Sequence, residues 1–166
     1  MAELTDAGIT LSGFATIADT TAQIVLGDLE DYEPEVYPSI RVTFPSLDFL
    51  GGPTTQTRAA VRFDVAVYVE DTGGPTTSVG VTVVECADDL ISDLHQTGIA
   101  YVEAVRAVLE RELPKSGRAR HTLARSIQRI EAPQDPERPC VLRERYILSV
   151  EVSARLKQSQ GTPRPS

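Results

Sequence analysis

Between Arg58 and Asp71 apolar and polar side chains change places at nearly every residue. Val61, Phe63, Val65, Val67 and Val69 fall on one side, and Ala60, Arg62, Asp64, Ala66 and Tyr68 on the other. The pattern returns near the C-terminus. There Leu142, Tyr146, Leu148, Val150, Val152 and Ala154 alternate with Arg143, Arg145, Ser149, Glu151, Ser153 and Arg155, and Ile147 alone is apolar on the second side. Period-two alternation of β-branched and aromatic residues predicts two long strands, each with one face on a core and one face wet. Between them the period lengthens. Val79, Val83, Cys86, Leu90, Leu94, Tyr101, Val105, Val108, Leu109 and Leu113 recur mostly at three and four, which predicts one long amphipathic helix over 78–113. Thr77 or Ser78 offers an N-cap, and Glu85, Asp88 and Asp89 lie early. Arg106 and Arg111 lie late, the sign that the helix dipole prefers. Gly98 is a point at which this helix could kink or break, and Pro114 ends it.

The remaining segments are shorter. In residues 1–30 the apolar positions approximate helical spacing and predict a helix over about 14–26, although Ile9, Leu11, Ile24 and Leu26 would also serve short strands. Glu30 to Glu35 reads as an acidic linker, and Tyr37 to Pro45 as a strand bounded by two prolines. The pentapeptide GGPTT occurs at 51–55 and again at 73–77, flanking the first long strand. A strand of that length separates the copies by about 46 Å, so they cannot build one phosphate cradle, and both read as surface loops. Lys115 to Arg125 reads as a basic loop, 126–131 as a short strand, 132–139 as a hairpin connection and 140–156 as the last long strand. The expected fold is α+β. A core domain over 37–156 holds an antiparallel sheet of about four strands with the helix packed on one face. An N-terminal segment (1–36) precedes it and a flexible polar tail (157–166) follows.

Charge changes the picture more than composition does. Up to His95 there are sixteen acids against three bases, a net of −13; from Gln96 onward there are thirteen bases against eight acids, a net of +5. Either the halves neutralise each other within one fold, or the molecule carries an acidic and a basic face that would let identical copies dock head to tail. Aromatics make up only 5% of the chain and there is no Trp, which argues against a stacking platform for single-stranded nucleic acid. Cys86 and Cys140 are the only cysteines, and two free thiols in a reducing compartment are expected. The N-terminus lacks a basic patch followed by a long apolar run, so neither a secretory signal nor a membrane span is expected.

Candidate chemistry is sparse. His95 and His121 are the only histidines, and neither has a second histidine at metal-ligand spacing, so no metal or other cofactor is expected. No GxSxG or activated cysteine pattern is present. Glu85, Asp88, Asp89 and Asp93 form a carboxylate cluster on the predicted helix, readable as a solvated face or, with His95, as a ligand or acid/base site. Lys115, Arg118, Arg120, Arg125 and Arg129 form the only basic cluster. Contact with a neighbouring subunit or partner is its favoured reading, with Arg118, Arg120, Arg125, Asp88 and Asp89 as candidate contact residues.

Several segments together give a family resemblance: YPSIRVTF, RAAVRFDVAVYVED, YVEAVRAVLERELP, RSIQRIE and CVLRERYILSVEVSAR, spanning about 37–156. This order of elements resembles the tail terminator, or tail completion, proteins of long-tailed bacteriophages. The resemblance implies a non-enzymatic structural protein of the virion tail, made in the host cytoplasm. It also implies a hexameric ring that caps the tail tube, limits its length and joins it to the head. The implied partners are further copies of the chain, the tail tube protein, a head-neck or connector protein, and genomic DNA passing through the lumen without specific binding. The alternatives are another neck or connector protein, or a small ligand-binding or enzymatic domain built on Asp88, Asp89, Asp93 and His95.

Overall fold

The structure is a computed structural model, and it describes residues 2–5, 8–29, 33–51, 56–72, 90–116, 119–131 and 140–157. Among them are nine strands and one α-helix. The first strands are β1 (Ala2–Thr5), β2 (Gly8–Leu11), β3 (Ile17–Ala18) and β4 (Ile24–Leu26). Next come β5 (Ser39–Val42), β6 (Ser46–Gly51) and β7 (Gln56–Thr72). The helix α1 (Leu90–Glu112), a 3₁₀ turn at Pro114–Ser116, β8 (Ala119–Glu131) and β9 (Val141–Lys157) follow.

The two alternating segments are β7 and β9. They pair antiparallel over seventeen residues from Gln56↔Lys157 to Thr72↔Val141 without a register shift. Because side chains alternate, one register sets both faces of the sheet. Val65, Val67 and Val69 of β7 share a face with Leu148, Tyr146 and Glu144 of β9, and all six are buried. Val61 and Phe63 lie on the same face, partly buried and packed against this core. On α1, Leu94, Tyr101, Val102, Val105 and Val108 are buried against it at spacings that return to one side of a helix.

β7 is long enough to hold two partners along one edge. β5 pairs with residues 65–68 and β6 with residues 58–62, both antiparallel, while β4 extends β5 in parallel. β8 pairs with the other edge of β9. The result is a six-stranded sheet in the order β4-β5-β7-β9-β8, with β6 beside β7. β1, β2 and β3 form a separate three-stranded sheet. It lies against α1, where Tyr101 Oη donates to the Ala15 carbonyl at 2.7 Å and the Tyr101 ring meets Phe14 edge-on at 5.6 Å. Ile9 and Ile17 thereby join the main core.

The α+β class holds, with corrections. The sheet has six strands rather than about four, and a second sheet is present. The helix expected over 14–26 is not formed. β3 and β4 lie there, joined by a turn in which Gln23 N donates to Thr20 O, because Ile17 and Ile24 find strand partners in β2 and β5. The long helix is seen from Leu90, and the expected stretch 78–89 lies outside the described residues. The strand expected over 126–131 starts at Ala119, so most of the supposed basic loop is strand. Cys140 is disulfide-bonded, which overturns the expectation of free thiols; Cys86 lies outside the described residues. Among the described residues no helix is long and apolar enough to cross a membrane.

The second face of β7 and β9 is also less wet than expected. Ala66 and Tyr68 are buried on it. Arg145 reaches the Leu29 carbonyl at 3.2 Å, and Arg143 stacks over Tyr37 while bonding Glu33 and Glu70. Residues flanking the acidic linker are thus held across one end of this face.

The inward register gives a direct test. Val65 is 2% exposed opposite Leu148, and burying a large apolar side chain contributes about 1.5–3 kcal/mol. Val65→Asp should abolish cooperative unfolding in urea, since it loses that burial and strands a carboxylate. Leu148→Ala should lower stability by about 2–5 kcal/mol. A wild-type midpoint for either variant would mean that the opposite face packs on the helix.

Candidate functional site: an ionic ladder between two sheet edges

On the face of the sheet away from α1, four charged side chains cross the four strands β6, β7, β9 and β8 in turn. Asp48 of β6 accepts from Arg62 Nη1 at 2.6 Å, and Arg62 Nε donates to Glu151 of β9 at 3.0 Å. The other oxygen of Glu151 accepts from Arg125 Nη2 of β8 at 2.7 Å. The pleat explains the row. Arg62 and Glu151 are register partners, and Asp48 lies diagonally from Arg62 because its own partner is Ala60. Arg125 sits where the β8–β9 register shifts between Ala124 and Ser126, a bulge that re-aims its side chain. The Arg125 guanidinium, and then that of Arg62, hold the Glu151 carboxyl below the usual carboxylate range. Glu151, and then Asp48, push Arg62 upward in return. An open cleft of about 440 Å³ lies over Arg62, Glu151 and Arg125, lined also by Thr43, Phe44, Asp64 and Ser149.

The ladder runs from one edge of the sheet to the other. β6 pairs with β7 alone and β8 with β9 alone among the described residues. Both edges carry apolar side chains in the open: Leu47 and Phe49 of β6 are 45% and 66% exposed, and Leu123 and Ile127 of β8 are 51% and 47% exposed. An edge strand with exposed apolar side chains is a template for pairing with another chain.

A second polar group lies inside the fold, under α1. Glu144 is only 4% exposed on the face packed against the helix. Arg129 of β8 binds its carboxylate, with Nε at 3.0 Å, and Tyr146 Oη donates to its second oxygen. His95 Nδ1 stands 2.8 Å from Tyr146 Oη and 3.8 Å from Glu144. With the hydroxyl proton directed to Glu144, the imidazole N–H is the donor to Tyr146. Burial, and next the bond to Glu144, push the Tyr146 phenol well above its usual range, so the hydroxyl keeps its proton and serves as a link rather than a nucleophile. Gly98 makes room for it. A Cβ there would stand 2.1 Å from the Tyr146 ring, so the helix passes unbroken over the aromatic only because this residue has none.

Asp88, Asp89 and Arg118 lie outside the described residues, and Arg120 is in β8 beside its first register shift. Arg125 engages Glu151 of its own chain. Asp93 is exposed on α1, whereas His95 turns to Tyr146, so the described members of the proposed acid/base cluster do not converge. Among the described residues no group of three or more metal-ligating side chains occurs. No motif or spacing in the sequence marks Arg62, Asp48, Glu151 or Tyr146 as site residues. Glu144 alone left a signal, a charge at an inward position of an otherwise apolar alternation. No protein-family model matches the chain, and a search of curated proteins finds no match.

Two measurements probe these arrangements. Gly98→Ala should destabilise by about 1–3 kcal/mol in urea through overpacking. In a Tyr146→Ala background the same change should become neutral or favourable, because alanine is the better helix former by about 1 kcal/mol. A cost that persists without the Tyr146 ring would refute the close approach. The ladder should also show in the acid limb. A depressed carboxyl stabilises above its ordinary value of 4.5, and that stabilisation fades as pH falls through the folded value. The melting temperature of the wild type should therefore exceed that of Glu151→Gln at neutral pH, and the gap should shrink as the pH falls from 4.5 through the folded value. A gap that stays constant with pH would remove the ionic role of Glu151.

Proposed function

We propose that this chain is a structural subunit of a long-tailed bacteriophage virion, a tail terminator. It would form a ring that caps the tail tube, limits its length and joins it to the head-neck. The observation that carries the reading is the pair of unlike open edges at opposite sides of one sheet. A subunit with two different sticky edges makes heterologous contacts, and such contacts close into rings when their rotation permits. The long helix with paired long strands on one face agrees with the element order that suggested the family. The partners of the reading are further copies of the chain, the tail tube protein and a head-neck or connector protein. DNA passes through the lumen without specific contacts, for which an acidic wall is suited because it repels phosphate. The chain has no catalytic role and needs no cofactor in this reading.

The deciding experiment is native mass spectrometry with negative-stain imaging, on the protein alone and mixed with purified uncapped tail tubes. Discrete multimers of annular shape, or rings seated on tube ends, are the expected outcome. A protein that stays monomeric in both conditions, and whose melting temperature rises with a small ligand, would overturn the reading in favour of a ligand-binding domain.

A further inference from the structure

The ladder described above is unfinished at both ends. Its signs run minus, plus, minus, plus from Asp48 through Arg62 and Glu151 to Arg125. Asp48 stands on the β6 edge with its side chain 49% exposed, and Arg125 on the β8 edge with its side chain 55% exposed. The row is diagonal, since Asp48 lies level with His121 of β8 rather than with Arg125, so a second copy set edge to edge with the same diagonal stagger would bring Arg125 beside Asp48 and continue the alternation.

Strand direction agrees with this. β6 runs antiparallel to β7, β7 to β9, and β9 to β8, so β6 and β8 of one copy point in opposite directions. Rotation about an axis along the strands preserves direction, so β6 of one copy would meet β8 of the next as an antiparallel pair. That is the pairing used throughout the sheet except between β4 and β5. Three of the exposed apolar residues share one side, while Leu123, opposite Glu151, lies on the ladder face. Leu47 and Phe49 lie on the α1 side of β6, as Ile127 does on β8, because their register partners Val61, Ala59 and Leu148 lie there. The wider charge balance points the same way. β6 belongs to the acidic first part of the chain and β8 to the basic second part.

We infer that the chain self-assembles through its sheet edges, with β6 of one copy adding to β8 of the next and Asp48 pairing with the neighbour's Arg125. The occupant of each edge is a second copy of this chain. The inference rests on the ring reading and adds the surface that makes the ring. Main-chain hydrogen bonds and the apolar edge residues hold the pair together, as in strand addition generally. The ionic contact sets orientation and register rather than affinity.

The test uses two full-length variants, Leu47→Lys/Phe49→Lys to block the β6 edge and Leu123→Lys/Ile127→Lys to block the β8 edge. Sizes are read by native mass spectrometry, and folding by cooperative melting. Each variant alone should be a folded monomer. An equimolar mixture should give a dimer and nothing larger, because each copy keeps one working edge of opposite kind. A milder pair, Asp48→Lys and Arg125→Glu, serves should the lysine variants unfold. Each should assemble poorly alone at low salt, and mixing should restore assembly. Wild-type-sized multimers from every single variant would overturn edge pairing and leave the ring reading standing on another surface. A dimer formed by one edge-blocked variant alone would overturn the heterologous arrangement. A wild type that never assembles, alone or on tubes, would overturn the ring reading itself.

Discussion

The six-stranded sheet and the helix on it take their places from the antiparallel pairing of β7 with β9. Seventeen residue pairs run without a slip, and a slip of one would exchange the two faces of both strands. On one face the valines of β7 and the Tyr146–Leu148–Val150 run of β9 make the surface on which α1 lies. On the other, the same register brings Arg62 opposite Glu151 and Glu70 opposite Arg143, where each pair bonds. The outer edge of β7 is then shared between β5 and β6, and that of β9 is taken by β8. The core and the polar row are two readings of one alignment.

The charge split between the halves of the chain is met in part by internal pairing. Arg143 of the basic part pairs with Glu33 and Glu70 of the acidic part, and Arg62 of the acidic part is matched to Glu151 of the basic part. These contacts are internal to one copy, and exposed pairs of this kind contribute about 0–1 kcal/mol each. What they leave is at the margins. The strand order sends the acidic part of the chain to one side of the sheet and the basic part to the other. The ladder therefore begins with an acid and ends with a base. Pairing in the middle of the row leaves its two ends, Asp48 and Arg125, about half exposed.

The buried group at Glu144 shows a different use of polarity. An inward carboxylate is costly unless it is paired and hydrogen-bonded, and here Arg129 and Tyr146 meet that demand from β8 and β9. Through His95 the same group reaches the first half of α1, and Gly98 lets that helix come close. The helix is held by apolar packing along its length, and the Tyr146 hydroxyl adds a polar contact to its first half. A glycine that reads in the sequence as a weak point is a contact point in the fold.

The two long strands, the helix after Leu90 and the inward identity of Val65, Leu148 and Val150 were all legible in the sequence, because period two and period three-to-four are local properties of a chain. The α+β class followed from their order. The N-terminal strands were legible only as the alternative to a helix. Ile9, Ile17 and Ile24 sit among glycines and threonines in segments too short to carry a period, and they became strands by finding partners in other elements. The early start of β8 was missed for a related reason, since its basic residues look like a loop until β9 supplies hydrogen bonds along its length. The disulfide at Cys140 depended on a distance that no spacing encodes. Asp48, Arg62, Glu151 and Arg125 are spread over more than a hundred residues of chain. Only the register of three strand pairs makes them neighbours, and register is a property of the folded sheet rather than of any one of its strands.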